Sequence, residues 1–257
     1  MMKRILDLRI TAVERTSQTS VLLRAAAAEG ALPECRPGQF AQLSVEEQGT
    51  LLRRPISIHE ARDGEILFLV QEVGRGSRWL ARRRAGDVVN AVLPLGHGFT
   101  CQGLGRGERV LLVGGGVGVA PLLMLGRWWR EQGVEPTYLL GGRSKDHLLR
   151  LDAFREVGRV EVTTEDGSLG ERGFVTDHSL LRQEEFSLIQ TCGPTPMMKS
   201  VARYARQRGV PCEVSLENHM ACGVGACLCC VTADREGHNR CVCTEGPVFP
   251  AELIMND

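Results

Sequence analysis

Apolar residues come in short bursts along the first hundred positions, and then the rhythm changes. Runs at Ile5–Ile10, Val21–Leu23, Phe40–Val45, Ile56–Ile58, Ile66–Val70 and Val88–Leu93 recur between turn residues. Runs this short and this closely spaced predict antiparallel strands of a small barrel or sandwich. One segment departs from period two: Ser77 to Arg84 sets Trp79 and Leu80 inward and its arginines outward, which predicts a helix. Around Arg106–Arg109 the pattern changes. Val110–Val113 predicts a buried strand, followed by a glycine turn and an apolar helix from about Ala120 to Arg130. Thr137–Leu140, a helical stretch near Asp146–Phe154, Val160–Thr163, Ser187–Thr191 and a helix over Thr195–Arg208 continue the alternation, which implies a parallel α/β sheet. After Pro211 a strand, Cys212–Leu216, leads into a cysteine-rich segment. The expected fold is therefore a β barrel plus an α/β domain, divided at 1–102, 103–211 and 212–257.

Composition narrows the function classes. The 257 residues carry 31 Lys+Arg against 31 Asp+Glu, a formal net charge of zero, and 43% are hydrophobic. That balance excludes a disordered chain. It also argues against a general binder of nucleic acid or anionic membrane, which needs a basic excess to displace counterions. Lys3, Arg4, Asp7 and Arg9 interrupt the N-terminus, so no secretory signal is expected. The longest apolar stretch, Val110 to Gly126, is broken by glycines and Pro121 and suits a strand–turn–helix better than a membrane span. A cytoplasmic protein is expected, in which cysteines are more often buried, reactive or metal-bound than paired.

Ten cysteines then change the picture by their placement. Cys35, Cys101, Cys192 and Cys212 are scattered and read as small core residues. Six crowd into one glycine-rich window: Cys222, Cys227, Cys229, Cys230, Cys241 and Cys243. Cys222, Cys227 and Cys230 have the spacing C-x4-C-x2-C, and Cys243 follows after twelve residues, the spacing of plant-type [2Fe–2S] ligation. Gly223 and Gly225 allow the backbone to curl around such a cluster. Zinc is the rival occupant, although structural zinc favours two C-x2–4-C pairs and Cys241/Cys243 make a poor second one. Cys229 and Cys241 are expected not to be ligands.

Four further segments suit phosphate-bearing ligands. Gly114, Gly115, Gly116 and Gly118 form a turn between strand and helix, through which a dinucleotide pyrophosphate can approach backbone amides; a purely structural turn is the alternative. Arg53-Arg-Pro-Ile-Ser57 sets cations beside a hydroxyl, or is a surface turn. Gly74-Arg-Gly-Ser77 opens the helix of Trp79, and Cys192-Gly-Pro-Thr-Pro196 lies where a strand gives way to a helix at the carboxyl edge of the sheet. The six histidines show no ligand spacing.

In this order the segments resemble the ferredoxin-reductase family of flavoproteins. Ser215-Leu-Glu-Asn-His-Met-Ala-Cys-Gly-Val-Gly-Ala-Cys227 and Val242-Cys-Thr-Glu-Gly-Pro-Val-Phe249 resemble, more narrowly, the iron–sulfur subunits of NAD-dependent dihydroorotate dehydrogenases. The resemblance covers almost the whole chain. It implies an N-terminal antiparallel FAD-binding barrel, a parallel-sheet NAD-binding domain and a C-terminal [2Fe-2S] segment. It implies that Arg54, Pro55, Ile56, Ser57, Gly76 and Ser77 line FAD together with the strand Leu69, Val70 and Gln71. The glycine turn would hold NAD, Cys192 and Gly193 would also bind a cofactor, and Cys222, Cys227, Cys230 and Cys243 would hold the cluster. Gln71 stands where the family often carries a basic residue, and Cys229 where it commonly carries a small one.

The implied activity is electron transfer in pyrimidine biosynthesis. An FMN-containing dihydroorotate dehydrogenase catalytic subunit would oxidise dihydroorotate, and electrons would pass through [2Fe-2S] and FAD to NAD+, in a heterotetramer of two of each subunit. No Ser/His/Asp or paired-carboxylate constellation is then needed, because the cofactors carry the chemistry. A subunit serving a sulfide- or ferredoxin-linked dehydrogenase shares every cofactor and remains the near alternative; a zinc-stabilised or redox-sensing module is the distant one. The family leans to NAD, while Arg143 and Ser144 are placed where a 2′-phosphate would bind. The apolar tail Gly246–Met255 is expected to form part of the partner interface, or else to fold back onto its own domain.

Overall fold

The structure is a computed structural model and describes residues 3–255. Six strands, β1 (Arg4–Ser17), β2 (Ser20–Ala27), β3 (Phe40–Leu43), β4 (Arg54–Arg62), β5 (Glu65–Gln71) and β6 (Val88–Leu95), close an antiparallel barrel in the order β1-β2-β5-β4-β3-β6. The alternation seen in the sequence does the work: Leu8, Ile10, Val21, Leu23, Ile58, Phe68, Val70 and Leu93 all point inward and fill it. Helix α1 (Arg75–Ala81) follows β5 and adds Trp79 and Leu80 to the same core.

The second half is a seven-stranded sheet. Its strands are β7 (Val110–Gly115), β8 (Pro136–Gly142), β9 (Arg159–Thr164), β10 (Glu171–Arg172), β11 (Leu188–Cys192) and β12 (Cys212–Ser215). A small hairpin, β13 (Val231–Ala233) with β14 (Asn239–Cys241), stands apart, and β15 (Val248–Pro250) completes the sheet in the order β10-β9-β8-β7-β11-β12-β15. All pairings are parallel except β12 with β15. Strand order reverses between β7 and β11, and the crevice at such a switch point is where open α/β sheets bind ligands. Helices α2 (Leu122–Glu131), α3 (Leu151–Arg155), α4 (Leu180–Gln183), α5 (Thr195–Arg208) and α6 (Ala251–Ile254) complete the fold.

Barrel and sheet are joined through β4 and α2. The His59 Nδ1–H donates to the Ala120 carbonyl at 2.7 Å, Arg127 pairs with Glu60 at 2.6 Å, and Met124 of α2 packs into the barrel core. The C-terminal segment packs across both: Phe40 and Leu95 of the barrel and Met198 and Ala202 of α5 share one core with Cys230, Val242, Cys243 and Phe249.

The fold revises one expectation, decides between two others and adds a hairpin. The helical stretch expected over Asp146–Phe154 is broken into a single 3₁₀ turn, Lys145–His147, and the short α3, because Arg150 takes a left-handed φ of 61° that no helix continues through. Of the two readings of the tail, the fold shows the second: β15 pairs with β12, and Phe249, Ala251, Ile254 and Met255 are buried against their own chain. The hairpin β13/β14 carried no apolar pattern; it is held by the buried Asp234 carboxylate, which accepts from the Glu236 and His238 amides and from Arg240. Among the described residues no helix is long and apolar enough to cross a membrane.

Candidate functional site

The site is built from three loop systems that the fold brings to one face. The first is a cavity of about 480 Å³ at the open edge of the barrel. Arg54, Pro55, Ile56 and Ser57 of β4, Leu69 and Gln71 of β5, and Gly76 and Ser77 of α1 all line it. Val70 does not: strand alternation turns its side chain into the barrel core, where it is 1% exposed. The loop before α1 is pinned by Ser77, whose Oγ accepts from the Val73 and Gly74 amides, both at 3.0 Å. The Arg54 guanidinium lies against Gly76, where a Cβ would push it aside. This lays a fixed cation across the mouth of a glycine loop, which suits a diphosphate-bearing ligand such as FAD.

The second cavity, of about 780 Å³, lies over the strand-order reversal. Gly115, Gly116 and Gly118 line it from one side and Gly193, Pro194 and Met197 from the other. Gly116 has φ +56° and nothing within 4 Å of the position a Cβ would take, so its backbone faces open space. That suits the approach of a dinucleotide. Gly114 is not part of the lining; it is a packing glycine, with Val119 and Leu122 where its Cβ would be. Cys192 lines the first cavity rather than the second, and burial pushes its thiol well above the usual range. Arg143 lines the second cavity beside Glu165, whereas the Ser144 hydroxyl is engaged with His147 Nδ1 at 2.9 Å.

The two cavities share a wall made by Gln71, Val117 and Glu217. Glu217 was not singled out in the sequence, because one acidic residue after a strand has no spacing to announce it. Partial desolvation at the wall raises its carboxyl pKa, although the residue stays exposed to solvent.

The third system is the cysteine loop, which continues directly from that wall: Ser215–Met220 line the first cavity, and Cys222 follows. Asn218 Nδ2 donates to the Cys230 carbonyl at 3.2 Å and ties wall to loop. Gly223 and Gly225 have φ of 70° and 85°, the curl anticipated from the sequence. Backbone amides already point at sulfur. Val224 and Cys227 donate to Cys222 Sγ at 3.4 Å, Gly225 to Cys243 Sγ at 3.2 Å, and Cys243 to Cys230 Sγ at 3.4 Å. Those on Cys222, the Val224 amide first, bring its thiol down to about 6, which favours the thiolate that binds metal. All ten cysteines are free. Beneath the loop, Gln42 is fully buried against Gly223 with neither amide atom hydrogen-bonded. An orphaned buried amide, four thiols and a ring of inward amides fit an iron–sulfur cluster. Cys229 is exposed, while Cys241 lies beside Cys230 and Cys243.

Comparison with known proteins agrees with this geometry. Residues 217–255 match the iron-sulfur cluster binding domain of dihydroorotate dehydrogenase B. The electron transfer subunit of dihydroorotate dehydrogenase B (NAD(+)) from Shouchella clausii is 42% identical over 227 residues, covering 86% of each chain. That from Bacillus mycoides is 40% identical over 228 residues, covering 85% of this chain and 87% of its own. Among solved structures, that of an NADH-dependent reduced ferredoxin-NADP oxidoreductase superposes with a TM-score of 0.85 at 32% identity, over 96% of this chain and 89% of the other. The barrel, the switch-point crevice, the cysteine loop and these relatives together establish that the chain belongs to the family of electron transfer subunits of NAD(+)-dependent dihydroorotate dehydrogenase B.

Proposed function

We propose that this chain carries electrons from the FMN of a dihydroorotate dehydrogenase catalytic subunit to NAD+, as one half of a heterotetramer with two copies of each subunit, in the cytoplasm. When bound, [2Fe-2S] supplies single-electron transfer and FAD supplies two-electron hydride exchange, so the pair joins dihydroorotate oxidation to NAD+ reduction. The observation that carries the reading is the shared wall at Gln71, Val117 and Glu217, from which the cysteine loop continues without a break.

Each part of the chain then has a task, and the division 1–102, 103–211 and 212–257 follows these tasks. Arg54 neutralises the FAD diphosphate; Pro55, Ile56, Ser57, Leu69, Gln71, Gly76 and Ser77 line its cavity, and Val70 acts only from the barrel core behind it. Gly115, Gly116 and Gly118 face the NAD diphosphate, Gly193 closes the crevice opposite, and Gly114 and Cys192 support the two loops. Val117 stands between the two ligands, in the wall that both cavities share. Cys222, Cys227, Cys230 and Cys243 bind the cluster, and the amides on their sulfurs favour the charged forms.

The test is anaerobic. Chain co-expressed with its catalytic subunit should show flavin and iron–sulfur absorbance, and dihydroorotate alone should bleach both and produce NADH when NAD+ is added. A complex that ignores dihydroorotate but is reduced by ferredoxin would favour a ferredoxin-linked subunit, a reading supported by the likeness to the reduced ferredoxin-NADP oxidoreductase. A colourless, zinc-containing protein would remove both.

A further inference from the structure

Five of the six clustered cysteines have an assigned or an exposed place; Cys241 has neither. Its Sγ lies 3.7 Å from Cys230 Sγ and 3.7 Å from Cys243 Sγ, and the three sulfurs lie within 4.8 Å of one another. Two thiolates on one tetrahedral metal at bond lengths near 2.3 Å sit about 3.8 Å apart. Cys241 therefore stands at ligand distance from both neighbours.

Its position is built rather than accidental. Cys241 closes β14 and pairs in register with Val231, the residue after Cys230. Its amide donates to the Glu245 carboxylate at 2.7 Å, and its carbonyl accepts from the Thr244 and Glu245 amides at 3.0 and 2.8 Å. The hairpin behind it is anchored by Arg240 on the buried Asp234, both guanidinium contacts at 2.9 Å. A short turn thus holds Cys241 and Cys243 on the same side, facing Cys230.

An iron of a [2Fe–2S] cluster accepts two bridging sulfides and only two thiolates, so three converging cysteines are one more than it can bind. We propose that Cys241 is a reserve ligand of the cluster, able to replace Cys243 on the iron shared with Cys230. The inference rests on the reading of this segment as a [2Fe–2S] site. The exchange breaks one iron–sulfur bond and forms another. The proton of the Cys241 thiol goes to solvent, the freed Cys243 thiolate can take one up, and no electron changes hands. Cys229 is not placed to replace Cys243, because its sulfur is not among those that converge with Cys230.

The test uses the full chain in complex with its catalytic subunit, purified anaerobically. Iron and sulfide are measured per bound FAD, so that the barrel reports the folded fraction, and the reduced cluster is examined by EPR. Wild type and Cys241→Ala should each hold about two irons per FAD. Cys243→Ala should keep most of its iron with displaced g values, and Cys241→Ala/Cys243→Ala should lose it by roughly tenfold or more. Cys243→Ser, nearly isosteric, guards against a collapsed loop: it too should retain iron, and adding Cys241→Ala should remove it. The proposal is overturned if Cys243→Ala and Cys243→Ser retain no more iron than their double variants. Iron missing from the wild type itself would overturn the cluster reading instead, which separates the two failures.

Discussion

At Gly118 the two halves of the sheet come as close as backbones allow. A Cβ there would lie 2.5 Å from the Gly193 Cα and 2.6 Å from the Cys192 carbonyl oxygen, and neither can swing away as a side chain would. Gly118→Ala should therefore force the glycine turn and the Cys192–Gly193 loop apart. Because a displacement of about 1 Å can cost on the order of 100-fold, NADH-driven flavin reduction should slow by roughly ten- to a hundredfold. FAD content should fall far less, since Arg54 and the loop 74–77 on the barrel side are not displaced, although Cys192 also lines that cavity; stopped-flow bleaching and flavin content measure the two together. Arg54→Ala should do the converse. Loss of charge-assisted bonds worth about 1.5–3 kcal/mol raises the FAD dissociation constant by roughly ten- to a hundredfold, measurable by flavin release on dilution. Both residues were legible in the sequence, because a glycine turn after a strand and an arginine before Pro-Ile-Ser are local patterns. Glu217 was not, since its importance lies in what the fold puts on either side of it.

Among elements, the contact between β4 and α2 carries a pH dependence. His59 is wholly buried, and that burial pushes its pKa from 6.5 down to about 4, while its Nδ1–H stays on the Ala120 carbonyl. Between those values the unfolded chain binds a proton that the folded chain does not. The stability from keeping His59 neutral is therefore complete above pH 6.5 and is lost as pH falls toward 4. The loss amounts to about 3 kcal/mol by linkage. Denaturant melts at pH 7 and pH 4.5 should show this loss in the wild type and a smaller one in His59→Gln, which has no proton to take up. The β15–α6 tail makes a second prediction at this scale. Phe249 is buried in the core that also holds Cys230 and Cys243, so Phe249→Ala should destabilise that segment by about 3–5 kcal/mol. Iron loss on warming should then precede FAD loss, which absorbance and flavin fluorescence would separate. The apolar tail was visible in the sequence, but apolar residues beside a site look the same whether they meet a partner or their own chain.

For the whole molecule, Phe249, Ile254 and Met255 are buried against their own chain, while other apolar groups stay exposed near the cysteines. On the cysteine loop, Val224 and Leu228 are 46% and 64% exposed, beside the ligands themselves. A catalytic subunit seated there would lie close to the cysteine ligands. Leu228→Asp should weaken association with the catalytic subunit by roughly tenfold while leaving the absorbance of flavin and cluster in place, read by analytical ultracentrifugation; buried apolar anchors carry most of such binding energy. With a formal net charge of zero, that association should depend only weakly on salt.

The sequence alone determined what neighbouring residues can encode: strand periodicity, the strand–glycine–helix turn, and thiols spaced for a cluster. These depend on backbone geometry over a few residues, which is why the strands and the glycine turn appear in the fold where the sequence puts them. Only the tertiary structure decided which of them meet. Gln71, Val117 and Glu217 come from the barrel, the glycine turn and the last stretch before the cysteines, and no local rule predicts that they form one wall. Long-range burial made that choice: the barrel packs on α2, the tail fills the groove beside β12, and the cysteine loop is left where two cavities join. It also drew Cys241 in beside Cys230 and Cys243, a convergence that the spacing of the thiols argued against.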